Sequence, residues 1–320
     1  MRHIVSTVGA LCAALTMGLA TAQTAYPTKP INVIVPFPPG VVDGYARLLA
    51  SKASAILGQP LVIKNQAGAG QRIGTDALAK SDPDGYTIGV ITNAGLVSGP
   101  ALSKSVPYNP LKDFSYLSMS FASHYLIVTQ PKSGIKTAAQ LQAQAQAAPG
   151  KLTFGSTGMG TGYHLAIESF LNAAGVSMLH VPYKGESPMV TDVIGGQVTI
   201  GIAALARQSM VDSGQLVALA YTGERRSALM PNVPTAKEQG IANTSSGWLG
   251  FGAPAGIPAD VRNKLIAAFT AAAKDPEVVA IFTKAGLEPR TLSGDAFSER
   301  VASELAETIE LNKTLKISLD

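Results

Sequence analysis

From residue 31 onward the chain alternates short runs of β-branched residues with longer Ala- and Leu-rich segments of helical period. That alternation leaves few folds open. Ile31–Val35, 61–64 and Thr87–Thr92 read as strands. Between them, 43–57 puts Ala46, Leu49, Ala50, Ala53 and Leu57 on one helical face, and 73–80 reads as a second, shorter helix. Strands that follow one another in parallel need a crossover, usually a helix, so the pattern predicts an α/β fold with a mainly parallel sheet. Pro83-Asp84-Gly85 is the turn that delivers the chain into the third strand.

The unit then recurs. Strands at Tyr125–Thr129 and 152–155 flank a helix at Ala138–Ala147, closed by Pro149-Gly150. Helices at 161–174, 188–194 and 205–212 lead into strands at 178–181, 198–203 and 216–221. After a strand at 248–251 the chain turns helical, at Ala259–Lys274, Pro276–Lys284 and about 296–314. A chain of 320 residues is too long for one small core and fits two domains of roughly 150 residues.

Charged residues make up only 14% of the chain, against roughly 25% in an average soluble domain. The net charge of +4 is spread out, with no basic run longer than Arg225-Arg226, so no nucleic-acid footprint is expected. Met1-Arg2-His3, an apolar stretch over 4–19 and the small-residue site Ala20-Thr21-Ala22 predict a signal peptide over 1–22, cleaved before Gln23. The apolar stretch is shorter than the roughly 20 residues a membrane span needs. Leu11 before Cys12 also spoils a lipidation box. Removing 1–22 takes away the only cysteine, which excludes disulfides and a thiol nucleophile in the exported chain.

The richest stretch is Phe154-Gly155-Ser156-Thr157-Gly158-Met159-Gly160-Thr161-Gly162-Tyr163-His164, between a strand and a helix. Its glycines allow a ligand close to the backbone, and the hydroxyls of Ser156, Thr157 and Thr161 join the helix-start N–H groups as donors for a carboxylate or phosphate. A dinucleotide loop fails because Tyr163 stands where the last Gly is needed, and a P-loop fails for want of Gly-Lys-Ser/Thr. Ser156 lacks the nucleophile-elbow Gly, since Phe stands at 154; a hydrolase using Ser156 with His164 or His180 is the alternative from another class. His124 and His180 show no metal-ligand spacing, and neither a metal nor a cofactor is expected.

The first unit carries an analogous loop, Pro36-Phe37-Pro38-Pro39-Gly40-Val41-Val42-Asp43, stiffened by its prolines. Asp43 is expected either to cap the following helix or to pair with Arg47 at i, i+4. Lys64-Asn65-Gln66-Ala67-Gly68-Ala69-Gly70 gives a third Gly-rich rim, and Trp248 reads as core or interdomain packing.

A family resemblance emerges at these residues. Tyr26-Pro27-Thr28-Lys29-Pro30-Ile31, Val35-Pro36-Phe37-Pro38-Pro39-Gly40, Gly68-Ala69-Gly70, Pro83-Asp84-Gly85-Tyr86-Thr87, His180-Val181-Pro182-Tyr183-Lys184-Gly185, Gly195-Gly196-Gln197-Val198 and Pro231-Asn232-Val233-Pro234-Thr235 resemble the Bug (TctC-type) periplasmic solute receptors of tripartite tricarboxylate transporters. The resemblance runs from about Tyr26 to the end of the sequence. Three departures stand out: Gly40-Val41-Val42-Asp43 is shorter and more apolar than the family pattern, Gln71-Arg72 stand where a Gly commonly follows Gly-Ala-Gly, and Thr199 replaces a frequent Asp.

The resemblance implies a type II periplasmic binding protein, with two α/β domains hinged around a ligand cleft. The expected division is 23–124 with 246–320 as domain I and 125–245 as domain II. It implies ligand contacts from Phe37, Pro38, Pro39, Gly40 and Asp43 in one jaw and from Ser156, Thr157, Gly158, Gly160, Thr161 and His164 in the other. Ala67, Gly68, Ala203 and Ala204 are expected to line the cleft. The implied function is non-catalytic capture of a di- or tricarboxylate, or of an aromatic acid such as terephthalate, in the periplasm. The implied partners are two membrane subunits of a transporter, with no nucleic acid, and the receptor is expected as a monomer; a sensor feeding a signalling kinase is a further alternative. Val41, Val42, Phe37, Tyr163 and Met159 motivate the aromatic subclass.

Overall fold

The computed structural model describes residues 26–242 and 246–320, so the expected signal peptide, with Cys12, lies outside the described residues. The chain runs β1 (Ile31–Val35), α1 (Val41–Leu57), β2 (Leu61–Asn65), α2 (Arg72–Ala79), β3 (Thr87–Thr92), α3 (Gly99–Leu102), β4 (Phe114–Ser123) and β5 (Tyr125–Thr129). It continues through α4 (Ala138–Ala147), β6 (Thr153–Ser156), α5 (Gly162–Ala173), β7 (Leu179–Pro182), α6 (Glu186–Ile194), β8 (Ile200–Ala204), α7 (Gln208–Asp212) and β9 (Val217–Tyr221). The last elements are β10 (Gly247–Pro254), α8 (Ala259–Lys274), α9 (Pro276–Lys284), β11 (Glu288–Pro289) and α10 (Asp295–Leu315).

These strands build two sheets, one of six strands in the order β11-β4-β10-β3-β1-β2 and one of five in the order β7-β6-β8-β5-β9. The expectation of mainly parallel pairing is corrected: both sheets are mixed. β1 pairs in parallel with β2 and β3, and β6 with β7 and β8, as crossover helices require. The antiparallel strands come from the chain changing sheets. It leaves the first sheet at the end of β4, passes through His124 and enters the second as β5, antiparallel between β8 and β9. On its return β10 inserts antiparallel between β3 and β4.

β4 is a strand that the sequence pattern does not announce. Its ten residues, FSYLSMSFAS, are buried from Tyr116 to Ala122, with Ser118 and Ser120 interrupting the apolar runs that would have marked a strand. The expected helix at 205–212 is divided into a 3-10 turn over 205–207 and α7.

Each sheet is covered on both faces. In β1, Val33 and Val35 face a core built with α1, α8 and α9, while Ile34 faces the other way with Leu78, Trp248 and Phe297. Both faces of a central parallel strand are thus apolar, which is why β1 reads as a continuous run with only Asn32 interrupting. Trp248 is buried, as expected for a packing residue, and its indole N–H donates to Glu304 Oε2 at 2.7 Å. At the crossing, buried His124 places Nε2 3.0 Å from Glu288 Oε2 and its ring edge-on to Tyr221.

Candidate functional site

The Pro-rich first loop and the Gly-rich second loop spring from equivalent places. One follows β1 and opens α1; the other follows β6 and opens α5, each at the carboxyl end of a strand paired in parallel on both sides. The first turn of an α-helix presents N–H groups without intrahelical partners, and its dipole favours an anion.

In the first loop Pro38, Pro39 and Gly40 are exposed, Phe37 is half-buried on the core, and Val41 is 72% exposed. Asp43 is not the helix cap. The cap residue is Gly40, with no side-chain cap bond, and Asp43 lies in the first turn. Its carboxylate is buried and accepts from Arg47 Nε at 2.8 Å and from Asn65 Nδ2 at 2.8 Å. These bonds hold its pKa below the usual carboxylate range, the Arg47 bond first. Asn65 Nδ2 also donates to the Phe37 carbonyl at 2.9 Å, so the acid anchors the loop and presents no free charge to an anionic ligand.

In the second loop Ser156 is fully buried, and its Oγ lies 2.7 Å from His180 Nε2. His180 stacks on His164 at 4.0 Å between ring centroids and on Phe154 at 4.8 Å. Burial, helped by the neighbouring His164, lowers the His180 pKa to about 4, so the ring is neutral near pH 7. His164 Nδ1 accepts from the Gly160 N–H at 3.1 Å and its Nε2 lies 3.5 Å from Glu168 Oε1, so it ties the loop together from below. Thr161 caps α5, accepting from the His164 N–H at 3.2 Å while donating to the Gly158 carbonyl at 2.8 Å. The Thr157 and Thr161 hydroxyls lie 3.1 Å apart.

Of the remaining expected residues, Ala203 is buried within β8, and the Ala204 N–H is engaged by Glu186 Oε1 at 2.9 Å. Ala67 is exposed and Gly68 half-buried on the third rim. Sequence reasoning missed the polar contacts made by the two residues just past that rim. Gln71 Oε1 accepts from Thr92 Oγ1 at 2.6 Å, and Arg72 donates to the hydroxyls of Ser103 at 3.1 Å and Ser105 at 2.9 Å. The unusual Gln71-Arg72 pair in a Gly-rich position was the available signal.

The two units meet near these loops. Leu319, beyond α10, packs on Gly160 of the second loop, while its N–H donates to the Leu102 carbonyl in the first unit at 2.9 Å. A cavity of about 730 Å³ opens between α5 and α10. It is lined by Glu224, Glu304, Glu307 and Glu310 against the single base Arg300, and none of the expected ligand residues reaches it. That acidic lining repels a carboxylate, whereas the loops offer N–H groups and hydroxyls. Among the described residues no cluster of His, Cys, Asp and Glu could hold a metal ion.

The family model described as "Tripartite tricarboxylate transporter family receptor" matches residues 45–316. Protein BugT of Bordetella pertussis is 36% identical over 309 residues, 95% of each chain. A solved TctC solute binding protein from Polaromonas, without ligand, superimposes with a TM-score of 0.83 at 25% identity, covering 90% of this chain and 99% of that one. A solved R. palustris protein with adipate aligns at 28% identity and a TM-score of 0.72, covering 92% and 99% of the two chains.

Proposed function

The chain belongs to the tripartite tricarboxylate transporter receptors, and from that premise we propose that it captures a small organic dicarboxylate between the 36–43 and 156–164 loops for delivery to membrane transporter subunits. Receptors of this family are periplasmic solute-binding proteins, and the two-sheet α/β architecture is the one their solved members share. In this reading 26–124 with 246–320 form one lobe and 125–242 the other, hinged at His124 and at the chain's return near Ser246. The receptor works as a monomer in the periplasm and performs no chemistry on its ligand.

One observation carries the ligand class. Both loops end in helix starts whose first N–H groups lack intrahelical partners, the second adding glycines and the Thr157 and Thr161 hydroxyls, while the one acid among them, Asp43, is paired with Arg47. Such a site stabilises carboxylates by oriented N–H and O–H groups and needs no free lysine or arginine. Exposed Val41 and Met159 beside those donors suit an apolar spacer between two carboxylates, and the adipate-bound relative supports the same class.

The Ser156–His180 contact is the observation that favours a hydrolase, and its surroundings argue against one. Ser156 has no exposed surface, and a histidine whose pKa lies at about 4 is a poor general base near neutrality. The acid nearby, Glu168, is within ion-pair distance of His164, and no carboxylate hydrogen bond orients the His180 ring among the described residues.

A thermal-shift series with C4 to C8 dicarboxylates, citrate and terephthalate tests the reading. A ligand at 100-fold over its dissociation constant stabilises by about 2.7 kcal/mol, so a binding acid raises the melting temperature visibly. Stabilisation by none of these acids overturns the proposal. Ester turnover that disappears in Ser156→Ala, with the fold retained, would replace it with the hydrolase.

A further inference from the structure

The last residues of the chain leave α10 along a fixed path. Lys316, in the left-handed region at φ 52°, ends the helix, and the Asn312 side chain then holds Ile317 from both sides. Its Oδ1 accepts from the Ile317 N–H at 2.8 Å and its Nδ2 donates to the Ile317 carbonyl at 3.0 Å. Leu319 comes next, paired to Leu102 through the backbone and seated on Gly160 of the second unit's loop.

The Asp320 side chain ends in a nest of donors on the first unit. Its Oδ2 accepts from the Lys104 N–H at 2.8 Å; its Oδ1 accepts from the Ser105 N–H at 3.2 Å, the Ser105 hydroxyl at 2.8 Å and the Ser103 hydroxyl. Arg72 donates to both serine oxygens from behind, which polarises their O–H groups toward the carboxylate. The donor set has the chemistry of a carboxylate site: two hydroxyls, two adjacent backbone N–H groups and a guanidinium one bond removed. These hydrogen bonds, that from Ser103 first, hold Asp320 well below the usual carboxylate range.

We propose that Ser103, Lys104 and Ser105, backed by Arg72, form a second carboxylate-binding site outside the ligand loops, which the chain fills in cis with Asp320. Filling it turns residues 316–320 into a strap that ties the first unit to the Gly160 loop of the second. The tether matters physically. Asn312 has already ordered the segment, so Asp320 is presented at a high effective concentration and a free monocarboxylate competes poorly in the intact chain. The same site, emptied by mutation, accepts a free carboxylate. The strap also explains Arg72, whose place next to the third rim belongs to this site and not to the dicarboxylate.

Hydrogen exchange with acetate as the probe tests both parts, against sodium chloride at matched ionic strength. In Asp320→Ala the Lys104 and Ser105 amides lose protection, and the 157–164 segment loses protection with them. Acetate restores the Lys104 and Ser105 amides in Asp320→Ala, but not in Asp320→Ala combined with Arg72→Ala or with Ser103→Ala and Ser105→Ala. No change at 104–105 in Asp320→Ala, or restoration by chloride as well as by acetate, overturns the site. Loss at 104–105 with 157–164 unchanged overturns the strap. Adipate-induced thermal shifts measured on each variant report the cleft separately, so failure of the cleft reading and failure of this one are distinguishable.

Discussion

Ser156 and His180 are joined side chain to side chain at 2.7 Å, beneath the loop that opens α5 and inside a stack that includes His164 and Phe154. The pair is a fastener with a buried hydroxyl and a half-buried ring. It holds the floor of the loop, so that the glycines and threonines above it keep their orientation, and its desolvated imidazole depends on staying neutral, because burial and the adjacent His164 disfavour the charged ring.

That dependence sets a pH response. The unfolded chain takes up a proton at His180 near its ordinary value of 6.5, whereas the folded chain resists until about 4. Stability from this group is therefore complete above 6.5 and is lost as pH falls from 6.5 to 4. Asp43 and Glu288, whose pKa values are lowered in the fold, lose their contributions as pH falls below their ordinary values of 3.8 and 4.5. Urea midpoints measured at pH 7, 5.5 and 4.5 should decline in the wild type and decline less in His180→Gln. Equal slopes would show that His180 titrates normally.

Asp43 and Arg47 form one salt bridge with unequal ends, since the Asp43 side chain is 6% exposed and that of Arg47 51%. Removing the exposed partner leaves Asp43 its bond from Asn65; removing the buried one takes away the carboxylate that both Arg47 Nε and Asn65 Nδ2 donate to, leaving Asn65 only its bonds to the Phe37 carbonyl and from Arg47. Asp43→Ala should cost roughly 1–3 kcal/mol, and Arg47→Ala less than about 1 kcal/mol. Denaturant unfolding of the two variants checks the order, and equal costs would make the pair an ordinary surface bridge.

Gly160 has φ 70° and would place a Cβ 2.6 Å from Leu319 Cδ2. Gly160→Ala should destabilise by about 1–2 kcal/mol through the left-handed backbone alone, with a further steric share from Leu319. Leu319→Ala should remove only that steric share. The double mutant is then more stable than the sum of the single costs, and strict additivity would mean that the two residues do not touch.

Thr157 and Thr161 separate binding from folding. Thr161→Val removes the cap of α5 and should cost about 1 kcal/mol of stability as well as affinity. Thr157→Val keeps the cap, so it should leave the melting temperature nearly unchanged while weakening dicarboxylate binding by the worth of one hydrogen bond, about 0.5–1.5 kcal/mol. Calorimetry beside thermal unfolding reads the two effects apart, and unchanged affinity in Thr157→Val would remove that hydroxyl from the site.

Much of the fold was legible because local periodicity and the fold agree along β1, α1, β3, α4, α8 and α9, where a parallel strand or an amphipathic helix is stabilised by its own pattern. β4 was not, because its buried Ser118 and Ser120 are tolerated only where neighbouring strands complete the packing. The direction of β10 was hidden for a similar reason: a strand's partners are chosen by the sheet it re-enters.

The sequence by itself determined the α/β alternation, the Pro-rich and Gly-rich loops at the two helix starts and the scarcity of charge, all of which are properties of consecutive residues. Only the tertiary structure decided what those groups are free to do. It committed the Asp43 carboxylate to Arg47 and Asn65 and the Ser156 hydroxyl to His180, and it brought Asp320 to Ser103 and Ser105 across 217 and 215 positions of chain. Long-range pairing of polar groups leaves no period in a sequence, because each partner is selected by distance in the folded state and not by spacing along the chain.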